Sequence, residues 1–64
     1  MQEPVALTRR EREVAALAAN GLTGPEIAGQ LFLSVRTVNN HLQRAYQKLG
    51  IESRAGLADA LDLR

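Results

Sequence analysis

Apolar residues recur at helical spacing in four segments of this 64-residue chain. The clearest stripe lies in the third segment, about residues 35–49, and consists of Val35, Val38, Leu42, Ala45, Tyr46 and Leu49. Steps of mostly three and four residues place these side chains on one face of an α-helix. Shorter stripes occupy about residues 9–19, 24–31 and 54–62, and no segment has the alternation typical of strands. The pattern predicts an all-α fold, a compact four-helix domain.

Residues that begin and end helices flank these stripes. Thr8 with Glu11, and Thr23 with Glu26, have the spacing of a capping box, in which side chain and backbone satisfy two unpaired N–H groups reciprocally. Ser34 is a good N-cap for helix 3, and Ser53 for helix 4. The residues that predict helix ends are Asn20, Gly21 and Gly50.

Helices 2 and 3 are joined by only three residues, 32–34. Two short helices with so tight a connection are typical of the helix-turn-helix, which we therefore expect at the centre of the domain. We expect Phe32 in the core and Gly29 at a close approach between helices. Residues 1–6 contain Pro4 and no periodicity, so we interpret them as a tail or linker stub and residues 7–64 as the domain.

Composition excludes several kinds of site. The chain has no cysteine and a single histidine, His41, so disulfides are impossible and a structural zinc site is not expected. No glycine-rich phosphate loop is present, and no cofactor is predicted. An enzyme is not expected either, because the nearest hydroxyl to His41 on its helix, that of Thr37, is a poor nucleophile with no activating group.

No apolar run is long enough to cross a membrane, and no signal sequence is recognisable, so we expect a cytoplasmic protein. The formal net charge is only +1, but the charge is unevenly distributed. Residues 27–51 contain no acidic residue and carry Arg36, Arg44 and Lys48. Positive charge confined to one segment is typical of a domain that touches a polyanion with one element.

Helix 3 carries two polar strips opposite its apolar face. One strip is rich in amides and consists of Arg36, Asn39, Asn40, Gln43 and Gln47; the other consists of Thr37, His41, Arg44 and Lys48. Amides can bond bidentately to adenine in the major groove of DNA, whereas hydroxyl and basic groups hold phosphates. The alternative is that the face is simply solvated, as exposed helix faces are. The absence of acidic residues from 27–51 and the three-residue connection before helix 3 favour DNA binding over a face that is only solvated.

The segments "LTRREREV", "EIAGQL", "RTVNNH" and "KLGIESR", in this order and spacing, resemble the LuxR-type (GerE-like) DNA-binding domain of bacterial transcription regulators. The resemblance runs from Leu7 to about Leu61. It implies a helix-turn-helix of helices 2 and 3, with helix 3 in the major groove of double-stranded DNA. The implied base-contacting residues are Asn39, Asn40 and Gln43. The implied phosphate-contacting residues are Thr23, Arg36, Thr37, His41, Arg44 and Lys48.

The resemblance also implies a homodimer on two half-sites, with helix 4 at the dimer contact through Leu57, Ala58 and Leu61. It further implies an upstream sensor domain in the parent protein and RNA polymerase as a further partner. The chain departs from the family pattern in two places. Asn39 stands where the family often has lysine, and Thr23-Gly24-Pro25-Glu26 replaces the common start "SNKE" of helix 2.

Both departures reduce positive charge, so weak DNA binding is expected of an isolated monomer. The alternative function is a small helical protein-interaction or dimerisation module, related to the four-helix region of sigma factors, with weak or no DNA binding.

Overall fold

The computed structural model describes residues 7–61 and contains the helices that the apolar stripes predict. Helix α1 spans Arg9–Ala19, α2 spans Gly24–Leu31 and α3 spans Val35–Leu49, which confirms the predicted positions of all three. No strand occurs within this described range. The expected tail at residues 1–6 lies outside it. None of the described helices is long and apolar enough to cross a bilayer.

The fourth helix differs from its prediction. Residues Arg54–Gly56 form one 3₁₀ turn, and α4 proper spans only Leu57–Ala60; residue 62, the last of the predicted helix, lies outside the described range. Gly56 lies close to the connection that follows α3, because a Cβ atom there would stand 3.2 Å from Cγ2 of Ile51. Such a contact is tighter than usual, so a side chain at this position would require the Ile51 side chain to move by a few tenths of an ångström.

The core lies where α3 packs against α1 and α2. Its members are mostly small and aliphatic: Val14, Ala15, Ala18, Ile27, Ala28, Val38, Leu42, Ala45 and Leu57. Leu57 corrects a prediction, since its side chain is 0% exposed. It faces inward because α4 packs on α1 and completes the core, so Leu57 offers no surface to a second chain.

The capping signals act as predicted. Thr8 and Thr23 each accept a hydrogen bond from the backbone N–H three residues later, and the carboxylates of Glu11 and Glu26 accept from the N–H groups of those threonines. Ser34 caps α3 by accepting from the N–H of Thr37 at 3.1 Å. These local bonds fix where each helix begins and therefore where its polar face points.

Three helix ends use a residue in the left-handed conformation, and one of them was not expected. Gly21 and Gly50 follow α1 and α3 with φ of 96° and 72°, whereas α2 ends at Phe32 with φ of 58°. Phe32 is 93% exposed, so its predicted place in the core is wrong. The backbone reversal after α2 turns this side chain away from the core, and Leu33 instead packs against the core while its N–H bonds to the carbonyl of Ala28 at 2.9 Å.

Candidate nucleic-acid interface

The outer face of α3 carries six exposed polar side chains that bond to no described residue. They are Arg36, Asn39, Asn40, Gln43, Arg44 and Gln47. None of them takes part in a side-chain hydrogen bond or ion pair with the described residues. The apolar face of the same helix is buried through Val38, Leu42 and Ala45. The helix is therefore held from behind and presents unpaired amides and guanidinium groups to its surroundings.

Two hydroxyl groups on the same side are oriented by the caps. The Thr37 hydroxyl accepts a hydrogen bond from the Ser34 hydroxyl at 2.9 Å, so its own hydrogen can be donated outward. The Thr23 hydroxyl accepts from the N–H of Glu26 at 3.2 Å and is left with the same capacity. His41 lies between the exposed and the buried face, half-buried one turn after Thr37.

The start of α2 lies against the first turns of α3. A Cβ atom at Gly24 would stand 3.8 Å from Cγ1 of Val35 and 3.7 Å from Oδ1 of Asn39. Thr23 precedes Gly24 directly as the N-cap of α2, and 16 positions separate it from Asn39 in sequence. The structure thus places the first residue of α2 beside Asn39 of the amide-rich strip.

Lys48 has a role that the sequence did not reveal. Its Nζ lies 2.8 Å from Oε1 of Glu11, whose side chain is only 3% exposed. The ion pair joins the last turn of α3 to the first turn of α1. The Lys48 hydrogen bond, followed by the bond from the Thr8 N–H, holds the pKa of Glu11 below its ordinary value of 4.5. The assignment of Lys48 to a DNA phosphate stays a prediction, and the carboxylate of Glu11 competes with a phosphate for the Lys48 ammonium group.

Arg54 is a second residue that sequence analysis missed. Its Nη1 donates to the carbonyl of Leu22 at 2.6 Å and lies 3.5 Å from that of Ala18. These are carbonyls at the end of α1 and in the connection to α2, where a cation interacts favourably with the helix dipole. Both missed contacts join residues more than 30 positions apart. No local pattern of residues signals such a pair.

The geometry suits recognition of a duplex. The α3 helix spans Val35–Leu49, so it is about 22 Å long, and a helix with its side chains fits the major groove, about 12 Å wide. The last acidic side chain before α3 in sequence is Glu26, which is occupied in the cap of α2. Repulsion of a polyanion by α3 itself is absent, because α3 contains no carboxylate.

Known proteins match the chain over nearly its whole length. Residues 5–61 match the family described as bacterial regulatory proteins, luxR family. The chain is 51% identical over 49 residues to the spore germination protein GerE of Bacillus subtilis, covering 77% of this chain and 66% of GerE. It is 45% identical over 64 residues to the probable transcriptional regulatory protein NarL of Mycobacterium tuberculosis, covering 95% of this chain and 30% of NarL.

A third relative is the DNA-binding transcriptional activator DevR/DosR of Mycobacterium tuberculosis, 41% identical over 58 residues, with 89% of this chain and 27% of that protein covered. A solved structure of the response regulator RcsB of Salmonella typhimurium, described in connection with DNA interaction, superposes with a TM-score of 0.82 at 34% identity. That match covers 92% of this chain and 29% of RcsB.

The chain therefore spans only part of each of these relatives, less than a third of NarL and RcsB. The matching family and the relatives NarL and DevR/DosR are transcription regulators. They form a class of DNA-binding proteins and not a class of enzymes. The two helices α2 and α3 with their three-residue connection, the all-α fold and the family match agree with one another. The chain belongs to the luxR family of bacterial regulatory proteins and is a helix-turn-helix, DNA-binding domain of that family.

Proposed function

We propose that this domain binds double-stranded DNA in a sequence-specific manner with α3 in the major groove. The observation that carries the proposal is the set of exposed, unpartnered polar side chains on a helix without carboxylates. The residues proposed to contact bases are Asn39, Asn40 and Gln43. The residues proposed to contact phosphates are Thr23, Arg36, Thr37, His41 and Arg44.

The division of labour follows from chemistry. An amide offers a donor and an acceptor in one plane, which matches N6 and N7 of adenine, so Asn40 and Gln43 can distinguish base pairs. The guanidinium groups of Arg36 and Arg44 bond to phosphate oxygens without reading sequence and set the position of the helix. Lys48 is assigned a smaller share of the phosphate contact than Arg44, because it already serves Glu11.

We also propose that the domain acts as a homodimer through α4. With Leu57 buried, the residues that remain of the predicted dimer contact are Ala58 in α4 and Leu61 at its C-terminal end, which are both half-buried. Replacing Ala58 by Glu places a charge on this surface, and we expect it to shift sedimentation of a dimeric sample toward the monomer. An unchanged dimer would contradict this placement of the interface.

The partial coverage of the relatives supports the proposal that the domain works within a longer regulator. We propose that an upstream sensor domain controls it, that it contacts RNA polymerase, and that it acts in the cytoplasm, where bacterial DNA lies.

Titration of a labelled random-sequence duplex at several salt concentrations tests DNA binding directly. We expect affinity to fall steeply between about 50 and 200 mM salt, because binding releases cations from the duplex and added salt makes that release less favourable. Arg44→Gln should lower the slope of log affinity against log salt by about 1. Arg9→Gln, which removes the same charge from an exposed position on α1, should leave that slope unchanged.

Absence of binding at every salt concentration, even for a covalently linked dimer, would overturn the proposal. It would favour the alternative function, a helical protein-interaction module.

A further inference from the structure

Gly24 is a glycine that the backbone does not require. The glycines with positive φ are Gly21 and Gly50, and Gly24 is not among them. It is the first residue of α2, where other residues are well tolerated. A reason for the missing side chain must therefore be sought in what surrounds it.

The surroundings of Gly24 include Asn39, one of the residues proposed to read bases. The nearest atoms to a Cβ placed there belong to Asn39 and Val35, at 3.7 and 3.8 Å. These distances are ordinary van der Waals contacts, so the first carbon of a side chain would fit. Atoms beyond Cβ would lie beside the Asn39 amide and restrict it. Gly29, in the same helix, has nothing within 4 Å of its Cβ position.

We infer that Gly24 is a specificity-determining residue, because it leaves the Asn39 amide free to set its orientation against a base pair. This inference rests on the proposed function, since it requires Asn39 to contact bases. The last side-chain torsion of asparagine is broad and roughly two-fold, so a neighbour decides which edge of the amide faces outward. The amide reads adenine only when its oxygen and nitrogen both meet the base edge.

Two departures from the family pattern, at Gly24 and Asn39, are neighbours in the structure. Gly24 and Asn39 are 15 positions apart in sequence but adjacent across the α2–α3 crossing. They therefore form one site, in which a short side chain on α3 is matched by an absent side chain on α2.

The test uses Gly24→Asn, with Gly29→Asn as the matched control in the same helix. Operators are first obtained by in vitro selection with the unaltered chain, and Asn39→Ala identifies the base pair that Asn39 reads. We expect Gly24→Asn to change discrimination at that base pair about threefold to tenfold. Discrimination at the base pairs read by Asn40 and Gln43 should stay constant, and Gly29→Asn should change neither.

A second readout does not involve DNA. In the free protein, Gly24→Asn should shift the NMR signals of the Asn39 side-chain amide, and Gly29→Asn should not. If Asn39→Ala alters base preference but Gly24→Asn does not, the inference alone is overturned. If Asn39→Ala alters no base preference, Asn39 does not read DNA, and that part of the proposed function fails together with the inference.

Discussion

The first three turns of α3 carry exposed polar side chains that bond to no described residue, whereas Lys48 fixes its last turn to the rest of the domain. Asn39, Asn40 and Gln43 are exposed and unpaired with described residues. Lys48, in contrast, reaches 2.8 Å from the buried Glu11. Gly50 then closes the helix in the left-handed conformation. The same helix is thus unconstrained on its outer face at one end and cross-linked at the other.

The difference has a physical reason. A side chain that reads a base must give up its water only when DNA arrives, so a partner within the protein would compete with the base. A helix that presents such side chains must still be held in one position. The Glu11–Lys48 pair and the buried face of Val38, Leu42 and Ala45 hold it. We therefore expect substitutions of the exposed residues in the first three turns to change DNA affinity, and substitutions at the Glu11–Lys48 pair to change the free energy of unfolding.

The largest effect on stability is expected from Lys48→Met. This change keeps the length of the side chain but leaves Glu11 as a buried carboxylate without its cation, which should cost about 2–3 kcal/mol of the free energy of unfolding. Urea unfolding measures it, and Arg44→Met, which removes an exposed cation from the same helix, should stay within about 0.5 kcal/mol. Equal stabilities of the two variants would contradict the division between the two ends.

Phe32, which ends α2, and Gly50, which ends α3, both adopt the left-handed conformation, but substitutions at the two positions should change stability differently. Gly50→Ala places a Cβ in an unfavourable backbone conformation and should cost about 1–2 kcal/mol. Phe32→Gly relieves the corresponding backbone strain and removes a side chain that is almost fully exposed. We therefore expect this variant to lose at most about 0.5 kcal/mol of the free energy of unfolding. A large loss on Phe32→Gly would show that this aromatic ring contributes to the fold after all.

The smallest effect is confined to acid. The pKa of Glu11 lies below 4.5 in the folded protein, so the unfolded chain binds the proton at higher pH than the folded one. The stability from ionised Glu11 is therefore complete above about pH 4.5 and is lost as pH falls through the folded pKa. Glu11→Gln should flatten the acid part of a stability curve, while Glu13→Gln, at an exposed ion pair, should not. The same acid slope in both variants would contradict the role of Glu11.

Much of the fold could be predicted because the signals are local. Thr8 with Glu11 and Thr23 with Glu26 are three residues apart, and the stripe of α3 lies within one helix. The polar strips of α3 followed from the same stripe, because they lie opposite it, whereas the resemblance to the LuxR-type domain implied which of their residues contact bases. What could not be predicted depends on tertiary packing or on an exception to a local rule.

Leu57 was assigned to a partner because its burial depends on how α4 packs against α1. Lys48 was assigned wholly to DNA because its partner is 37 positions away. Phe32 was expected inside because an aromatic residue seldom ends a helix in the left-handed conformation, where glycine or asparagine is preferred.

The central claim is that α3 contacts bases through the exposed side chains of its first three turns and not through its last turn, which Lys48 joins to Glu11. Gln43 and Gln47 test it most directly, since both are exposed glutamines on α3 one turn apart. The measurement is the affinity of Gln43→Ala and Gln47→Ala for a selected operator and for its single base-pair variants. We predict that Gln43→Ala loses about 1–3 kcal/mol on the operator and relaxes preference at one base pair, whereas Gln47→Ala does neither. Equal affinities and unchanged preferences for the two variants would contradict the account.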